Sequence, residues 1–305
     1  MTTITPIRPM EPILSKEAID NAAWTAQVKW DGVRCLTYLK DGSCWLFNRK
    51  LHERTLQYPE LQSLLKLCKS TTAVLDGEII SLIDGKPSFS AVLRRDWATN
   101  PANIKAAVKR QPVCYMIFDI LHGNGRDLTT FSFEERQELL TKQIIQTEGI
   151  RLVENFPGMG GRLFQAVAAQ NLEGVVLKKS DSPYIPGKKS AYWHKVKAMR
   201  QTVCQIAGYT FNNAGIRSLL LAVPQGDDLV YAGRASIGLT EAGLRTAGEV
   251  LAAYPAVKSP VKKTPRLPGI QLQWVAPIFT AEIEFLEWTD DLQLRHPKIL
   301  RLNLS

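Results

Sequence analysis

The sequence predicts an α+β protein of two domains. The first, over residues 1–199, has antiparallel sheets, and the second, over 200–305, is a small β-barrel of the OB type. Three observations lead there. Up to Met199, strand-length apolar runs and helical periodicities mix without regular alternation, which disfavours a doubly wound parallel sheet. From Thr202 onward, short strand-like segments surround a single helix, which is the content of a small five-stranded barrel. A chain of 305 residues has room for two hydrophobic cores.

Taken in order, residues 1–23 contain Pro6, Pro9 and Pro12, show little periodicity and read as an extended arm. Trp24 to Val28, Val33 to Leu39 and Cys44 to Asn48 read as strands, the last two joined by an Asp41-Gly42 turn. Asp31-Gly32 reads as a similar turn with left-handed backbone angles, so that Lys29 ends one strand and Arg34 lies on the returning one. Leu61, Leu64, Leu65 and Cys68 recur at helical spacing within Tyr58 to Lys69. Ala73 to Leu82 is strand, interrupted at Asp76-Gly77, and Val113 to Leu121 is an apolar run of strand length. Ser132 and Glu135 form a capping-box signature opening a helix over Phe133 to Gln146. A helix over Gly161 to Asn171 leads into a strand over Gly174 to Lys179. In the second domain the expected strands are Val203 to Thr210, Ser218 to Val223, Leu229 to Ala232 and Ile270 to Pro277, with a helix over Thr240 to Ala253. Val257 to Gly269, rich in Lys, Arg and Pro, reads as an exposed basic loop.

Composition narrows the function. Cys35, Cys44, Cys68, Cys114 and Cys204 are scattered without a C-x-x-C pair, so neither a zinc site nor a disulfide framework is expected, and they read as reduced, buried fillers. Lys and Arg number 38 against 29 Asp and Glu, an excess of nine that suits a polyanionic partner. No apolar run reaches the length of a membrane span, and Met1 to Met10 lacks the apolar core of a signal peptide. A cytoplasmic protein with no membrane partner is the expectation.

Reactive side chains gather in a few segments. Gln27-Val28-Lys29-Trp30-Asp31-Gly32-Val33-Arg34 places a lysine at a strand end. A lysine is a nucleophile only as the free amine, a form that burial or neighbouring cations favour. Alone, however, a lysine beside Asp-Gly is more often a solvated strand residue. Asn48-Arg49 closes a strand, and Glu78 follows Asp76-Gly77. In Tyr115-Met116-Ile117-Phe118-Asp119, alternation sets Met116 and Phe118 on one face and the other three on the opposite face. Glu173-Gly174-Val175-Val176-Leu177-Lys178 puts a carboxylate at a strand entry. A carboxylate near a phosphate-binding lysine calls for a divalent cation, and Mg²⁺ binds through one or two carboxylates plus phosphate oxygens. In Trp193-His194-Lys195-Val196-Lys197, the two lysines share one strand face, where their ammonium groups can hold a phosphate.

In this order, the segments resemble the motifs of the superfamily containing ATP-dependent DNA ligases and mRNA capping enzymes, Lys29-Trp30-Asp31-Gly32-Val33-Arg34 matching its nucleotidyl-lysine motif. The likeness spans roughly residues 24–302 and is nearest to minimal ATP-dependent DNA ligases, such as the ligase domain of bacterial end-joining enzymes. It implies a nucleotidyltransferase (adenylation) domain followed by an OB-fold domain. Lys29 would carry AMP, and Lys195 and Lys197 would hold the reacting phosphate. The resemblance places Gln27 and Val28 beside the base, Phe118 stacked on the purine, and Arg34 and Arg49 at phosphate and DNA. Glu78 and Glu173 would serve the ribose and the metal. ATP and Mg²⁺, with Mn²⁺ as the alternative, are the implied cofactors, and nicked double-stranded DNA is the implied partner. Lys258, Lys262, Lys263 and Arg266 of the basic loop are the expected DNA clamp of the barrel. A monomer is expected, serving DNA repair, recombination or replication, with a DNA-end-binding or repair protein as a further partner.

Two features depart from the pattern. Many relatives carry Glu at the position of Gln27 to receive the adenine amino group, and a glutamine can accept there but can also donate. Near the C-terminus, Phe285-Leu286-Glu287-Trp288-Thr289 and Leu294-Arg295-His296-Pro297 resemble the last barrel segment, whose Arg295 region covers the pyrophosphate during self-adenylation. The usual ending then adds an Arg and an Asp-Lys pair. Here the chain reads Arg301-Leu302-Asn303-Leu304-Ser305, and Lys298 or Arg301 is the expected substitute. With a short stretch before Lys29, no large N-terminal DNA-binding domain is expected. The nicotinamide-binding domain and zinc cysteines of NAD-dependent relatives are also missing, so ATP is the expected donor. Two alternatives stay open at this level: an RNA-directed nucleotidyltransferase (RNA ligase or mRNA capping enzyme) and a non-catalytic nucleic-acid-binding relative.

Overall fold

The computed structural model describes residues 5–213, 215–289 and 291–304, and divides the chain into one unit ending at Ala198 and a second beginning at Met199. The first unit contains two sheets. One has the strand order Glu11–Leu14, Lys189–Lys197, Gly174–Lys179, Trp24–Val28, Phe156–Pro157. The other runs Ser43–Asn48, Val33–Lys40, Ala73–Ile83, Val113–Gly123, Arg126–Asp127, with the short strands Lys86–Pro87 and Ile150–Leu152 added alongside. Pairing is antiparallel except in two places. Glu11–Leu14 runs parallel to Lys189–Lys197, and Ile150–Leu152 runs parallel to Val113–Gly123.

Several local expectations change in the folded chain. The N-terminal arm contributes an edge strand, Glu11–Leu14, and an edge is where a strand tolerates a proline such as Pro12. Asp31-Gly32 does not form a hairpin. Trp24–Val28 pairs within the first sheet, whereas Val33–Lys40 pairs with Ser43–Asn48 and Ala73–Ile83 in the second, so the chain crosses between sheets there. Gly32 also lacks the expected left-handed angles. Space is what demands glycine, since a Cβ would lie 2.2 Å from the Ile79 carbonyl oxygen. Ala73–Ile83 continues without a break through Asp76-Gly77, where only its register with Val113–Gly123 shifts. The helical stretch at Tyr58 to Lys69 becomes a 3-10 turn, Pro59–Ser63, followed by a single helical turn, Leu64–Leu67.

Two further helices, Phe89–Asp96 and Pro101–Arg110, lie outside the elements expected from sequence; the first buries Ala91, Val92, Arg95 and Asp96, the second only Ile104. Their starts are set by side-chain caps from Ser88 and Asn100. The capping box at Ser132 and Glu135 forms and opens the helix Phe133–Gln143.

Alternation sorts the second sheet into two faces. One carries the main core, including Leu46, Leu75, Tyr115 and Ile117, with Leu61, Leu64 and Leu140 packed on it. The other meets the first sheet through Leu36, Tyr38, Phe47, Leu121, Tyr184 and Trp193. Asp119 does not share the face of Tyr115 and Ile117, as alternation alone would have it: the register shift sets it opposite Asp76, on the side that meets the first sheet. Arg136 donates to it through Nε at 2.7 Å and Nη2 at 3.0 Å, and both side chains are fully buried. The other arm of Arg136 donates to the carbonyls of Phe131 and Ser182, so the guanidinium is well satisfied.

In the second unit Arg200–Asn212 is the central strand. Gly215–Gln225 and Asp228–Ala235 follow on one side, Thr280–Phe285 and Lys298–Asn303 on the other, and Gln271–Trp274 also pairs with the central strand. A parallel bridge between Ile237 and Lys298 and a hydrogen bond from Leu294 N–H to the Ala232 carbonyl draw the outer strands together, curling the sheet into a barrel. The helix Glu241–Ala252, capped by Thr240, packs Ala247 and Leu251 into its core. Thr280–Phe285 and Lys298–Asn303 add to the strands expected from sequence, although Ala281, Ile283 and Phe285 alternate clearly with Glu282 and Glu284. All five cysteines are free and buried. Among the described residues no helix is long and apolar enough to cross a membrane.

Arg136→Met would leave Asp119 buried without its counter-charge. The variant should lose about 3–5 kcal/mol of unfolding free energy, read as a lower urea midpoint with an unchanged slope. Adding Asp119→Asn should recover part of that loss.

Candidate active site

Strand register assembles one wall of a cleft in the first unit. Gln27, Val176 and Lys195 are direct partners across three neighbouring strands, and Thr25, Lys178 and Trp193 form the next row on the same face. At the other end of these strands, Lys29 N–H donates to the Gly174 carbonyl, Gly174 stands opposite Lys197, and Ala198 N–H donates to the Glu173 carbonyl. The backbones come so close here that only glycine fits: Gly174 has φ +141, and a Cβ would lie 2.0 Å from the Val196 oxygen. That close approach delivers the Glu173 side chain to Lys29. From the second sheet, Arg34, Glu78 and Phe118 supply the opposing wall, with Arg49 also lining the cleft.

Glu173 lies between two ammonium groups. One carboxylate oxygen is ion-paired with Lys29 Nζ, and the other is 3.8 Å from Lys197 Nζ. Lys195 lines the same cleft, its pKa lowered by burial and then by the charges of Lys29 and Lys197. Across from them, burial pushes the Glu78 carboxyl up to about 7, against the pull of Lys29 and Arg34. The cleft therefore holds several positive groups and a carboxyl poised near neutrality.

The two arginines differ in freedom. Arg34 is clamped by Asp76, to which Nε and Nη2 each donate at 2.6 Å, and Nη2 also reaches the Met10 carbonyl at 3.1 Å. Tyr184 donates its hydroxyl to the same Asp76 at 2.7 Å. Arg34 thus forms a rigid part of the wall, its guanidinium 4.6 Å from the centroid of the Phe118 ring. Arg49 is exposed and doubly bonded to Glu11 of the arm strand, at 2.7 Å on each side.

Sequence reasoning did not single out Lys178 or Trp193. Trp193 is fully buried and lines the cleft. Lys178 is also buried, donates from Nζ to the Phe118 carbonyl at 3.2 Å, and lies 4.1–4.8 Å from the ring centroids of Trp193, Phe118 and Phe133. Burial pulls its pKa down to about 7. The signal for both was the period of two, because Lys178 follows Val176 and Trp193 precedes Lys195 on the cleft-facing rows.

Among the described residues no three His, Cys, Asp or Glu side chains form a metal cage. The donors fit a cation held mainly by phosphate oxygens and water: Glu78 lines the cleft, while Glu173 is engaged by two lysines. Arg295 lies in the second unit, where Nη1 meets Glu287 at 2.6 Å. Lys258, Lys262, Lys263 and Arg266 are exposed in the same unit, the segment pinned by buried Val261 and by a 2.5 Å pair between Lys262 and Asp228.

Because the Glu78 pKa is raised from 4.5 to about 7 in the folded chain, the folded state binds the extra proton between those values. Stability attributable to this group therefore falls as pH rises from about 4.5 to about 7. Glu78→Gln removes the titration, so its gain in melting temperature over the parent should be larger at pH 8 than at pH 5. Equal shifts at the two pH values would count against a buried, raised carboxyl.

Comparison with known proteins gives a consistent family picture. Residues 8–197 match the model for the ATP dependent DNA ligase domain, and residues 212–303 match that for the ATP dependent DNA ligase C terminal region. The chain is 31% identical over 278 residues to the multifunctional non-homologous end joining DNA repair protein LigD of Mycobacterium tuberculosis, covering 89% of this chain and 35% of that protein. It is 26% identical over 256 residues to a DNA ligase of Methanocorpusculum labreanum, covering 80% of this chain and 46% of that one. The chain thus spans about a third to a half of the length of these relatives. Among solved structures, the ligase domain of M. tuberculosis LigD aligns over 98% of this chain and 95% of its own, with 28% identity and a TM-score of 0.56. A Lig E DNA ligase shares the fold at 16% identity and a TM-score of 0.65, over 96% of this chain and 99% of its own.

Proposed function

The chain belongs to the ATP-dependent DNA ligase family, and from that premise we propose that it seals nicks in duplex DNA through a lysyl-AMP intermediate on Lys29. The observation that carries this reading is the meeting of Lys29, Glu173 and Lys197 in a cleft also lined by Gln27, Glu78, Phe118 and Lys195.

Lys29 gives up its ammonium proton to the Glu173 carboxylate it meets and, as the neutral amine, attacks the α-phosphorus of ATP. A nitrogen–phosphorus bond forms as the bond to pyrophosphate breaks, and the second proton displaced from nitrogen passes to solvent. A 5′-phosphate oxygen of the nick then takes the adenylate and releases the Lys29 amine. Finally the 3′-hydroxyl attacks the adenylated 5′-phosphate, closing the strand and releasing AMP. Such phosphoryl chemistry asks the protein mainly for positioning and charge neutralisation. Lys195 and Lys197 hold the α-phosphate, and Glu173 keeps the ammonium groups of Lys29 and Lys197 apart and oriented. Phe118 carries the purine ring and Gln27 borders its edge. Mg²⁺, or Mn²⁺ in its place, would be held by Glu78 together with phosphate oxygens and would neutralise the departing pyrophosphate. Arg49 exchanges Glu11 for a phosphate of ATP or DNA. Arg34 acts from behind Phe118, as a wall group more than a mobile ligand.

Nicked DNA is the partner best supported by the charge balance and by the functions that the relatives' names carry, with repair by end joining as the setting. The enzyme works as a cytoplasmic monomer, alongside a DNA-end-binding or repair protein. Arg295 serves self-adenylation, and the basic segment of the barrel clamps DNA.

Self-labelling with α-phosphate-labelled ATP, GTP or adenylate-labelled NAD tests the reading. A covalent band should appear with ATP, vanish in Lys29→Ala, and be chased by nicked DNA. A band retained by Lys29→Ala would place the nucleophile elsewhere, and a chase by nicked RNA alone would move the substrate to RNA. Neutralising Lys258, Lys262, Lys263 and Arg266 together should weaken nick binding. It should also flatten the salt dependence by about one logarithmic slope unit for each DNA phosphate no longer neutralised. An unchanged slope would remove that segment from the DNA interface.

A further inference from the structure

Gln27 faces the cleft with an amide, and an amide can offer either its oxygen or its nitrogen to a ligand. Which end it offers is decided outside the cleft. Gln27 Nε2 donates to Asn155 Oδ1 at 2.8 Å, Asn155 Nδ2 donates to Gln137 Oε1 at 3.0 Å, and Gln137 Nε2 donates to the Phe118 backbone carbonyl at 3.0 Å. The last acceptor cannot be reversed. A carbonyl only accepts, and Lys178 Nζ donates to the same oxygen at 3.2 Å.

Reading back from that fixed end, Gln137 must turn its nitrogen to Phe118 and its oxygen to Asn155. Asn155 must then turn its nitrogen to Gln137 and its oxygen to Gln27. Gln27 is left with Nε2 committed to Asn155. Reversing any one amide would set like against like along the relay. Gln27 is only 2% exposed and lines the cleft, and among the described residues no protein donor bonds its Oε1. Asn155 and Gln137 are not part of the cleft lining; they border a separate surface depression with Glu138 and Thr141.

We infer that the relay from the Phe118 carbonyl through Gln137 and Asn155 makes Gln27 an acceptor-only reader of the nucleobase, selecting a 6-aminopurine over a 6-oxopurine. The inference rests on the nucleotide-site reading above. A 6-amino group donates to Oε1, whereas a 6-oxo group brings a second oxygen against it. Asn155 and Gln137 act as positioning residues, since they touch no nucleotide and work through Gln27. Phe118 links the two parts of base recognition: its ring lines the cleft, and its own carbonyl anchors the relay.

The test uses the full chain with Mg²⁺ and measures equilibrium binding of ATP and of GTP, together with self-labelling by each. Asn155→Leu releases the Gln27 amide, which can then turn to suit either base. The ATP-to-GTP affinity ratio should fall by about tenfold or more, the scale of one hydrogen bond reversed. Gln27→Glu in the Asn155→Leu background should restore it, because both carboxylate oxygens accept and no orientation is needed. Asn155→Asp still accepts from Gln27 and should keep the ratio. If Asn155→Leu fails to fold, Gln137→Met, which unties Asn155 from its anchor, should lower the same ratio by a smaller factor.

A purely structural role for Asn155 would weaken ATP and GTP equally and would not be rescued at position 27; that outcome overturns the relay. So does a wild-type ratio in Asn155→Leu, or a wild-type protein that binds and labels with both nucleotides alike. A wild-type protein that prefers ATP in binding, yet forms no adduct on Lys29, overturns the nick-sealing reading and leaves the relay standing.

Discussion

The ion pair between Lys29 and Glu173 is the contact on which the cleft depends. Burying a carboxylate is costly unless opposite charge meets it, and here two ammonium groups do so, one on each oxygen. The arrangement exists because three strands hold one register at Val28–Val175–Val196 and because Gly174 lets the backbones approach. A slip of one residue in any of these strands would send Lys29, Glu173 or Lys197 to the opposite face. The Lys29 side chain is thus placed by backbone pairing, and its charge is balanced by neighbours that the same pairing delivers.

The two walls divide the work. The first sheet presents the lysines and the Gln27 amide, while the second presents Glu78, Phe118 and Arg34. Buried polar contacts lock both walls in place. Asp76 receives Arg34 and Tyr184, Asp119 receives Arg136, and the Phe118 carbonyl receives Lys178 and Gln137. Each of these buried acceptors is satisfied, so the network stiffens the site without leaving an orphaned charge. A cleft built in this way holds its positive groups in fixed positions before any ligand arrives. The arm strand adds a different element, because Glu11 occupies Arg49 at the cleft.

Much of the site was legible in the linear order of its motifs. Lys29, Glu78, Glu173, Lys195 and Phe118 are each ambiguous alone; their succession along one chain pointed to a shared site, and the fold brings them to one cleft. Helix starts at Ser132 and Thr240 were readable as well, because a cap is a local interaction between residues three apart. The short helices after Ser88 and Asn100 escaped: the first buries the charged Arg95 and Asp96 beside Ala91 and Val92, so no apolar stripe marks it, and the second buries only Ile104. Asp31-Gly32 misled for a related reason: a pair that permits a hairpin turn also permits a tight crossover, and only the neighbouring Ile79 carbonyl decides which demand the glycine meets.

By itself, the sequence determined the mixed strand and helix content, the change of character near Met199 and most of the charged side chains that meet in the cleft. These follow from periodicity, capping and motif order, all of which act over a few residues. Only the tertiary structure decided that Lys178 would be buried among three aromatic rings, that Arg34 would be committed to Asp76, and which end of the Gln27 amide faces the cleft. Each of those outcomes depends on partners 42 to 128 residues away along the chain or on several strands at once. A side chain's own neighbours in sequence say what it can donate or accept, and the folded surroundings settle which of those capacities remains available to a ligand.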